Sequence, residues 1–153
     1  MCADRKREKT EDVRLVRDVV EKHKKREVPL THESTLIEQL PEAIEWFRHT
    51  RQLYVVDDNG RLLGNITLAR LVMYTFAHSH GTSMSSRQIM DLITCECAGD
   101  LMAAGTLSAR MDDDLDELLV RMVGRNVEEV PVVDDDGKVV SDLTMIDLLR
   151  AVG

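Results

Sequence analysis

The chain has 153 residues, about the length of one ordinary domain, and 43% of them are hydrophobic. Its formal net charge is -8, with 20 Lys and Arg against 28 Asp and Glu. This balance argues against non-specific binding to nucleic acid, which needs clustered cations that displace the counterions of the phosphate backbone. Aromatic residues make up only 3% of the chain, so aliphatic side chains and Met have to build the core.

The cysteines and the absence of long apolar runs indicate the compartment. Cys2, Cys95 and Cys97 are an odd number and do not describe a disulfide framework. Reduced thiols in the cytoplasm are the simplest account of them. No apolar run reaches the ~20 residues that cross a bilayer, and the charges from Asp4 onward exclude the apolar core of a signal peptide. We therefore expect a cytoplasmic protein without membrane insertion.

The first half of the chain predicts a helix, a strand, a helix, a β-hairpin and a last helix. Residues 1–11 form a charged tail, and the hairpin turns at Asn59-Gly60, because both residues tolerate positive φ. The helix before the hairpin has an apolar stripe of Leu36, Ile37, Leu40, Ile44 and Phe47. The predicted elements are helices at 12–24 and 68–77 and strands at 27–30, 53–56 and 62–67.

The second half repeats this order after a small, polar linker at 79–86. Its middle helix has an apolar stripe of Leu115, Leu118, Leu119, Met122 and Val123. The other predicted elements are helices at 87–102 and 145–152 and strands at 106–109, 130–133 and 139–144. Thr67 and Thr144 stand at the strand–helix junctions, where a hydroxyl caps the helix.

An internal repeat relates the two halves. Residues 55–72 align without a gap with residues 132–149, and Val-Val-Asp-Asp, the turn glycine and the following threonine all recur. One unit of roughly 60 residues buries too little surface to be stable alone. The repeat therefore predicts two units that share one cooperative domain.

These repeats resemble a tandem pair of CBS motifs, the arrangement called a Bateman module. The resemblance is carried by the run from Val130-Pro131-Val132-Val133 to Leu143-Thr144-Met145-Ile146-Asp147, and by Asp100-Leu101-Met102 before the second unit. It implies an α+β fold in which motif 1 (12–78) and motif 2 (87–153), each helix-strand-helix-strand-strand-helix, are related by a pseudo-two-fold axis. Two clefts are expected between the motifs. In this family AMP, ADP, ATP or S-adenosylmethionine commonly occupies them, and two modules often stack as a homodimer.

The ligand signature of the family is Gly, apolar, any residue, Thr or Ser, two of any, then Asp or Asn. Thr144 and Asp147 match it in motif 2, although Ser141 stands where the family usually has Gly. A carboxylate can accept from both hydroxyls of a ribose, while a Thr hydroxyl and free helix-start amides suit phosphate oxygens. The resemblance therefore implies that Thr144 and Asp147 bind the nucleotide.

Motif 1 departs from the signature at its last position. Gly64 and Thr67 match, but Arg70 replaces the acid, and an Arg cannot accept from a diol. We expect Arg70 to neutralise the phosphates of a nucleotide held mainly by motif 2, with an exposed surface cation as the alternative.

Analogy with the family also places the adenine of the ligand. It implies adenine contacts from the first and central strands of motif 2, at Ala103, Thr106, Val130 and Pro131. For each of these four residues taken singly, packing in the core or at a strand edge is the alternative.

The sequence gives less support to a metal site or to an enzyme active site. His78, His80, Cys95 and Cys97 are types that suit zinc, but their spacings are unlike a Cys-x-x-Cys knuckle. The acidic run 112–114 sits where a helix cap belongs. No phosphate loop, nucleophile elbow or His-Glu-x-x-His motif is present, so we expect no catalytic residues.

The sequence thus predicts a non-catalytic regulatory module that senses an adenine nucleotide or S-adenosylmethionine, with an AMP-like molecule as the first candidate. No cofactor is required. The regulated output would be a partner or attached domain, such as a transporter or a metabolic enzyme. The alternative is a dimerisation or protein-interaction module that binds no ligand.

Overall fold

The computed structural model describes residues 13–23, 27–40, 45, 50–79 and 86–152. The helices in these ranges are α1 (Val16–Val20), α2 (Leu68–Ser79), α3 (Ser86–Ile93), α4 (Ala98–Leu101), α5 (Leu115–Gly124) and α6 (Met145–Val152). The strands are β1 (Leu30–His32), β2 (Gln52–Val56), β3 (Leu62–Thr67), β4 (Ala109–Arg110), β5 (Glu129–Val133) and β6 (Val139–Thr144).

The strands form two sheets of the same topology, with the orders β1-β2-β3 and β4-β5-β6. In each sheet the first strand runs parallel to the second, and the second and third form an antiparallel hairpin. Both hairpins shift register at the equivalent point, between Val55 and Val56 and between Val132 and Val133. The predicted α+β fold with two tandem motifs is confirmed.

The hairpin turns follow from local chemistry. Gly60 and Gly137 have φ of 78° and 80°, which glycine adopts without steric cost. The carboxylate of Asp57 accepts from the amides of Asn59 and Arg61 at 2.8 and 3.0 Å. The two turns also pair with each other, because the Leu62 amide donates to the Gly137 carbonyl and the Val139 amide to the Gly60 carbonyl, both at 3.0 Å. The tips of the hairpins therefore join the two motifs.

Each sheet has its own aliphatic core, and the short helices α1 and α4 are exchanged between the cores. Ala98 and Leu101 of α4 are buried with the first sheet. Val16 and Val19 of α1 are buried with the second sheet. The sequence analysis placed each helix before the strands of its own motif, whereas each packs on the sheet of the other half. The exchange ties the motifs together through buried apolar surface.

The single helix predicted at 87–102 is wrong, because α3 and α4 are separated by residues 94–97. Cys97 forms an antiparallel bridge with Leu36, which holds it in an extended conformation. The Asp100 carboxylate accepts from the amides of Glu96 and Cys97 at 3.1 and 3.3 Å and fixes the turn before α4. The Cys97–Leu36 bridge and the Asp100 hydrogen bonds both favour the break at 94–97 over a continuous helix.

Other expectations are corrected in detail. In α5 the predicted stripe buries Leu115, Leu118 and Met122, but Leu119 and Val123 are 39% and 66% exposed. The strands expected at 27–30 and 106–109 begin later, as β1 and β4. The tail at 1–11, the helical positions Ile44 and Phe47 and most of the linker at 79–86 lie outside the described residues.

Candidate functional site

The start of α6 carries the two residues that match the ligand signature. Thr144 ends β6, and Asp147 lies in the first turn of α6. The Thr144 amide donates to Asp147 Oδ2 at 2.9 Å, and the Asp147 amide donates to Thr144 Oγ1 at 3.2 Å. This reciprocal pair is a capping box. Asp147 is only 4% exposed, so its carboxylate is positioned by the helix start and is largely shielded from solvent.

The equivalent start of α2 has a guanidinium in place of the carboxylate. Thr67 Oγ1 accepts from the Arg70 amide at 3.1 Å, which preserves half of the capping box. The Arg70 side chain is partly buried, and its Nε donates to the carbonyl of Leu101, at the end of α4, at 3.2 Å. Arg70 is therefore anchored to the exchanged helix, and one of its five N–H donors is used there.

A cleft of about 350 Å³ opens between the motifs. β2 and β3 of motif 1 contribute to its wall, as do the segments before β4 and before β5 of motif 2. Its polar lining is a hydrogen-bonded row, in which Thr106 Oγ1 donates to Asn65 Oδ1 at 2.8 Å and Asn65 Nδ2 donates to Gln52 Oε1 at 2.9 Å. Arg125, Val127 and Glu129 line the rest of the wall. The cleft thus offers amide, hydroxyl and charged groups to a small molecule.

The Glu129 side chain of motif 2 forms hydrogen bonds with motif 1 at the edge of this cleft. Its carboxylate accepts from the hydroxyl of Thr50 and from the amide of Arg51, the latter at 3.3 Å to Oε1 and 3.2 Å to Oε2. Within its own sheet, Glu129 is the register partner of Thr144. Glu129 therefore lies between the cleft and the start of α6.

Position 64 requires glycine because the backbone of Ala103 approaches it closely. Ala103 and Asn65 exchange two backbone hydrogen bonds, of 2.9 and 3.1 Å. A Cβ at Gly64 would collide with the carbonyl oxygen of Ala103 and lie 2.9 Å from Met102 Sδ. At the equivalent position in motif 2, Ser141 is accommodated, and the neighbouring Asp142 carbonyl is contacted by the His23 ring at 3.2 Å.

The predicted site residues fall into two groups. Arg70 contacts the end of the exchanged helix α4, and Ala103 and Thr106 both contact Asn65 of β3 in motif 1. Thr144 and Asp147 lie at the start of α6. Val130 and Pro131 are buried in β5, and Val130 has no exposed surface.

Sequence reasoning missed the four cleft-wall residues, besides Thr106, that have polar or charged side chains: Gln52, Asn65, Arg125 and Glu129. Gln52 and Glu129 are the first residues of β2 and β5, and both are half-buried where the rest of their strand is buried. The sequence signal that could have identified them is a polar residue at the equivalent position of both repeats.

The cysteines and acids near α4 and α5 have structural roles. Burial raises the pKa of the Cys95 thiol, which favours its neutral form. Asp114 caps α5 by accepting from the Glu117 amide at 3.0 Å, as the acidic run predicted. Among the described residues, which do not include His80, no group of three or more His, Cys, Asp or Glu side chains is arranged to hold a metal ion.

In the part of the chain that the structure describes, no helix is both long and apolar enough to cross a bilayer.

Comparison with known proteins identifies the fold. A family model described as CBS domain matches residues 16–76 and, a second time, residues 98–153. The chain is similar to the solved structure of a CBS domain-containing protein from Thermotoga maritima, with 29% identity, a TM-score of 0.67 and coverage of 90% of this chain and 92% of that one.

Two further solved structures have the same fold and were determined with adenosine compounds. CBSX2 in complex with AMP is 24% identical, with a TM-score of 0.65 and coverage of 81% of this chain and 86% of that one. The CBS domain pair of protein MJ0100, in complex with 5′-methylthioadenosine and S-adenosyl-L-methionine, is 22% identical, with a TM-score of 0.66 and coverage of 91% and 99%.

A curated relative is much longer than this chain. L-aspartate semialdehyde sulfurtransferase from Methanocaldococcus jannaschii is 25% identical over 141 residues, which are 92% of this chain and 24% of that protein. The repeated match of the family model, the two equivalent sheets and the similar solved structures lead to one assignment: the chain belongs to the CBS domain family and contains two CBS motifs in tandem.

Proposed function

We propose that this CBS pair is a regulatory module that binds an adenine nucleotide or S-adenosylmethionine between its motifs and controls a partner or an attached output domain. The observation that carries the proposal is the polar cleft of about 350 Å³ with walls from both motifs. A ligand that touches both walls stabilises one relative arrangement of the motifs. Its differential affinity for the two arrangements supplies the energy of the switch.

The helix start of α6 is proposed to hold the sugar and phosphate of the ligand. Asp147 accepts from the ribose hydroxyls, and Thr144 and the helix-start amides meet the phosphate. Because Asp147 is 4% exposed, ligand binding includes a local opening at this helix start. Arg70 supplies a positive charge to the phosphates through the N–H groups that Leu101 does not use.

The base is proposed to lie in the cleft, against Ala103 and Thr106 and beside the strand of Val130 and Pro131. Thr106 lines the cleft, while Val130 and Pro131 are buried and form the support behind the wall. The register pair of Glu129 and Thr144 connects the cleft to the start of α6. CBSX2 and protein MJ0100 bind adenosine compounds in the same fold, which supports this class of ligand.

The module is further proposed to act as a cytoplasmic homodimer without catalytic residues. Apolar side chains are exposed on the outer faces of α5 and α6, including Val120 at 71%, Ile146 at 60% and Leu149 at 74%. Such a surface is typical of an association site, and homodimers commonly pair the same patch of both subunits. The longer relative, a sulfurtransferase by name, supports an attached output domain that is a metabolic enzyme. A transporter is the other class of output that we propose.

A thermal-shift experiment tests the proposed ligand class. AMP, ADP, ATP and S-adenosylmethionine are added separately to the protein, with GMP as a control for a purine nucleotide without the 6-amino group. Ligand at 100 times its Kd stabilises the folded state by about 2.7 kcal/mol, which raises the Tm by several degrees.

The competing function is that of a ligand-free interaction module, and the exposed apolar faces of α5 and α6 favour it. Unchanged Tm values with all four adenine compounds, in a protein that is dimeric by light scattering, would support this alternative.

A further inference from the structure

Glu129 is the carboxylate in the wall of the cleft, among the described residues that line it. Its two oxygens offer about four acceptor positions. The Thr50 hydroxyl and the Arg51 amide use part of this capacity from the motif 1 side. The side of Glu129 that faces the cleft can therefore accept a hydrogen bond from a ligand.

The other polar groups of the wall are engaged with protein. Gln52, the equivalent of Glu129 in motif 1, accepts from Asn65, and Asn65 accepts from Thr106. The Arg125 guanidinium donates to the carbonyl of Gly105 at 3.2 Å and remains a donor. A ligand N–H group consequently finds its best acceptor at Glu129, where a charged hydrogen bond is stronger than a neutral one.

We propose that Glu129 is a specificity residue that selects ligands whose purine base carries an amino group at position 6, as adenine does. The proposal rests on the proposed function, because it requires the base of a nucleotide to occupy the cleft. A base without an N–H donor at this place removes water from the cleft-facing side of the carboxylate and leaves that side without a hydrogen bond.

The Glu129 carboxylate also couples ligand binding in the cleft to motif 1. Glu129 holds the Arg51 amide, and the Arg51 carbonyl accepts from the Leu68 amide at the start of α2 at 3.0 Å. A ligand that binds Glu129 therefore acts on a hydrogen-bonded connection between the two helix starts.

The test measures the Kd of AMP and of purine riboside 5′-monophosphate, which has a hydrogen in place of the 6-amino group. Isothermal titration is carried out on wild type, Glu129→Gln and the control Glu128→Gln, an exposed neighbour outside the cleft. Wild type and Glu128→Gln are expected to prefer AMP by roughly 10- to 100-fold, the range of a hydrogen bond to a charged group. In Glu129→Gln the preference falls to a few-fold, because a neutral amide is a weaker acceptor.

The Arg51 amide gives a second readout, in ¹⁵N–¹H spectra of the wild type. AMP is expected to shift this resonance more than purine riboside 5′-monophosphate at saturation. Equal affinities of the two ligands for wild type, or the same preference in folded Glu129→Gln, would overturn the role of Glu129 and leave the proposed function standing. Absence of binding of AMP, ADP, ATP and S-adenosylmethionine to wild type would overturn both.

Discussion

The Asp147 carboxylate accepts a hydrogen bond from the Thr144 amide at 2.9 Å, and the Thr144 hydroxyl accepts from the Asp147 amide at 3.2 Å. This pair caps α6 in the protein without ligand. The residues proposed to hold the ribose and phosphate thus also determine where the helix begins. Binding and helix stability are coupled at one carboxylate, and substitutions have to separate the two effects.

Asp147→Ala is expected to lower the free energy of unfolding by about 1 kcal/mol, because the Thr144 amide loses its acceptor. Asp147→Asn retains an acceptor oxygen and is expected to remain close to wild type. Urea denaturation followed by circular dichroism measures both variants. An Asp147→Ala protein as stable as wild type would show that the capping box contributes nothing.

Gly64→Ala is expected to destabilise the protein by about 1–3 kcal/mol, since the new methyl group collides with the Ala103 carbonyl. The collision would also break the backbone pair between Ala103 and Asn65 that closes one side of the cleft. Gly124→Ala is the matched control, because no atom lies within 4 Å of a Cβ placed there.

Denaturation midpoints of the two glycine variants test this claim. Gly124, in the last turn of α5, is expected to tolerate alanine or to gain stability from its higher helix propensity. Equal midpoints for Gly64→Ala and wild type would mean that the backbone approach at Gly64 is not tight.

Asp100 is expected to contribute to the acid sensitivity of the fold. Hydrogen bonds from the backbone amides of Glu96 and Cys97 lower the pKa of Asp100 below its ordinary value of 3.8. A carboxyl group with a lowered folded-state pKa adds stability above its unfolded pKa, and this stability is lost as the pH falls through the folded pKa. The stability that Asp100 contributes is therefore expected to be lost below about pH 4.

Asp100→Asn is expected to flatten this acid limb relative to wild type, as measured by urea midpoints across acidic pH. Asp136→Asn, an exposed residue of the second hairpin turn, is the control and is expected to keep the wild-type slope. The account of Asp100 is contradicted when both variants lose stability with the same pH dependence as wild type.

Charges on the outer faces of α5 and α6 are expected to dissociate the proposed homodimer. Val120→Asp and Leu149→Asp each place a carboxylate in an interface that excludes water, at a cost that disfavours association. Light scattering should give twice the chain mass of 17.4 kDa for wild type and the single-chain mass for both variants. Val140→Asp, a half-exposed site on β6, is the control. A monomeric wild type, or dimers in both variants, would contradict the proposed interface.

The sequence predicted the elements whose signals are local. β3, β6 and α6 were predicted with their observed bounds, because a turn glycine and a threonine cap mark each junction. The break between α3 and α4 was missed, because it depends on the pairing of Cys97 with Leu36, about 60 residues away in the chain. The exchange of α1 and α4 has the same origin, since an apolar stripe does not reveal which sheet it covers.

The candidate site was predictable to a similar extent. Thr144 and Asp147 were predicted from their match to the ligand signature of the family, and one helical turn brings them into contact. Gln52, Asn65 and Glu129 meet only after the two motifs pack, so their proximity has no local signature. The substitution of Arg70 for an acid was visible, but its bond to Leu101 depends on the position of the exchanged helix.

Calorimetric titration of AMP, ADP, ATP and S-adenosylmethionine into wild type and Asp147→Ala tests the central claim most directly. Asp147→Ala removes both acceptor oxygens, and circular dichroism of the same sample checks that the variant is folded, so a loss of binding is separated from a loss of structure. The account predicts micromolar binding of at least one adenine compound to wild type and its loss in folded Asp147→Ala. No heat with any of the four ligands would contradict a nucleotide sensor, and wild-type affinity in the variant would remove Asp147 from the site.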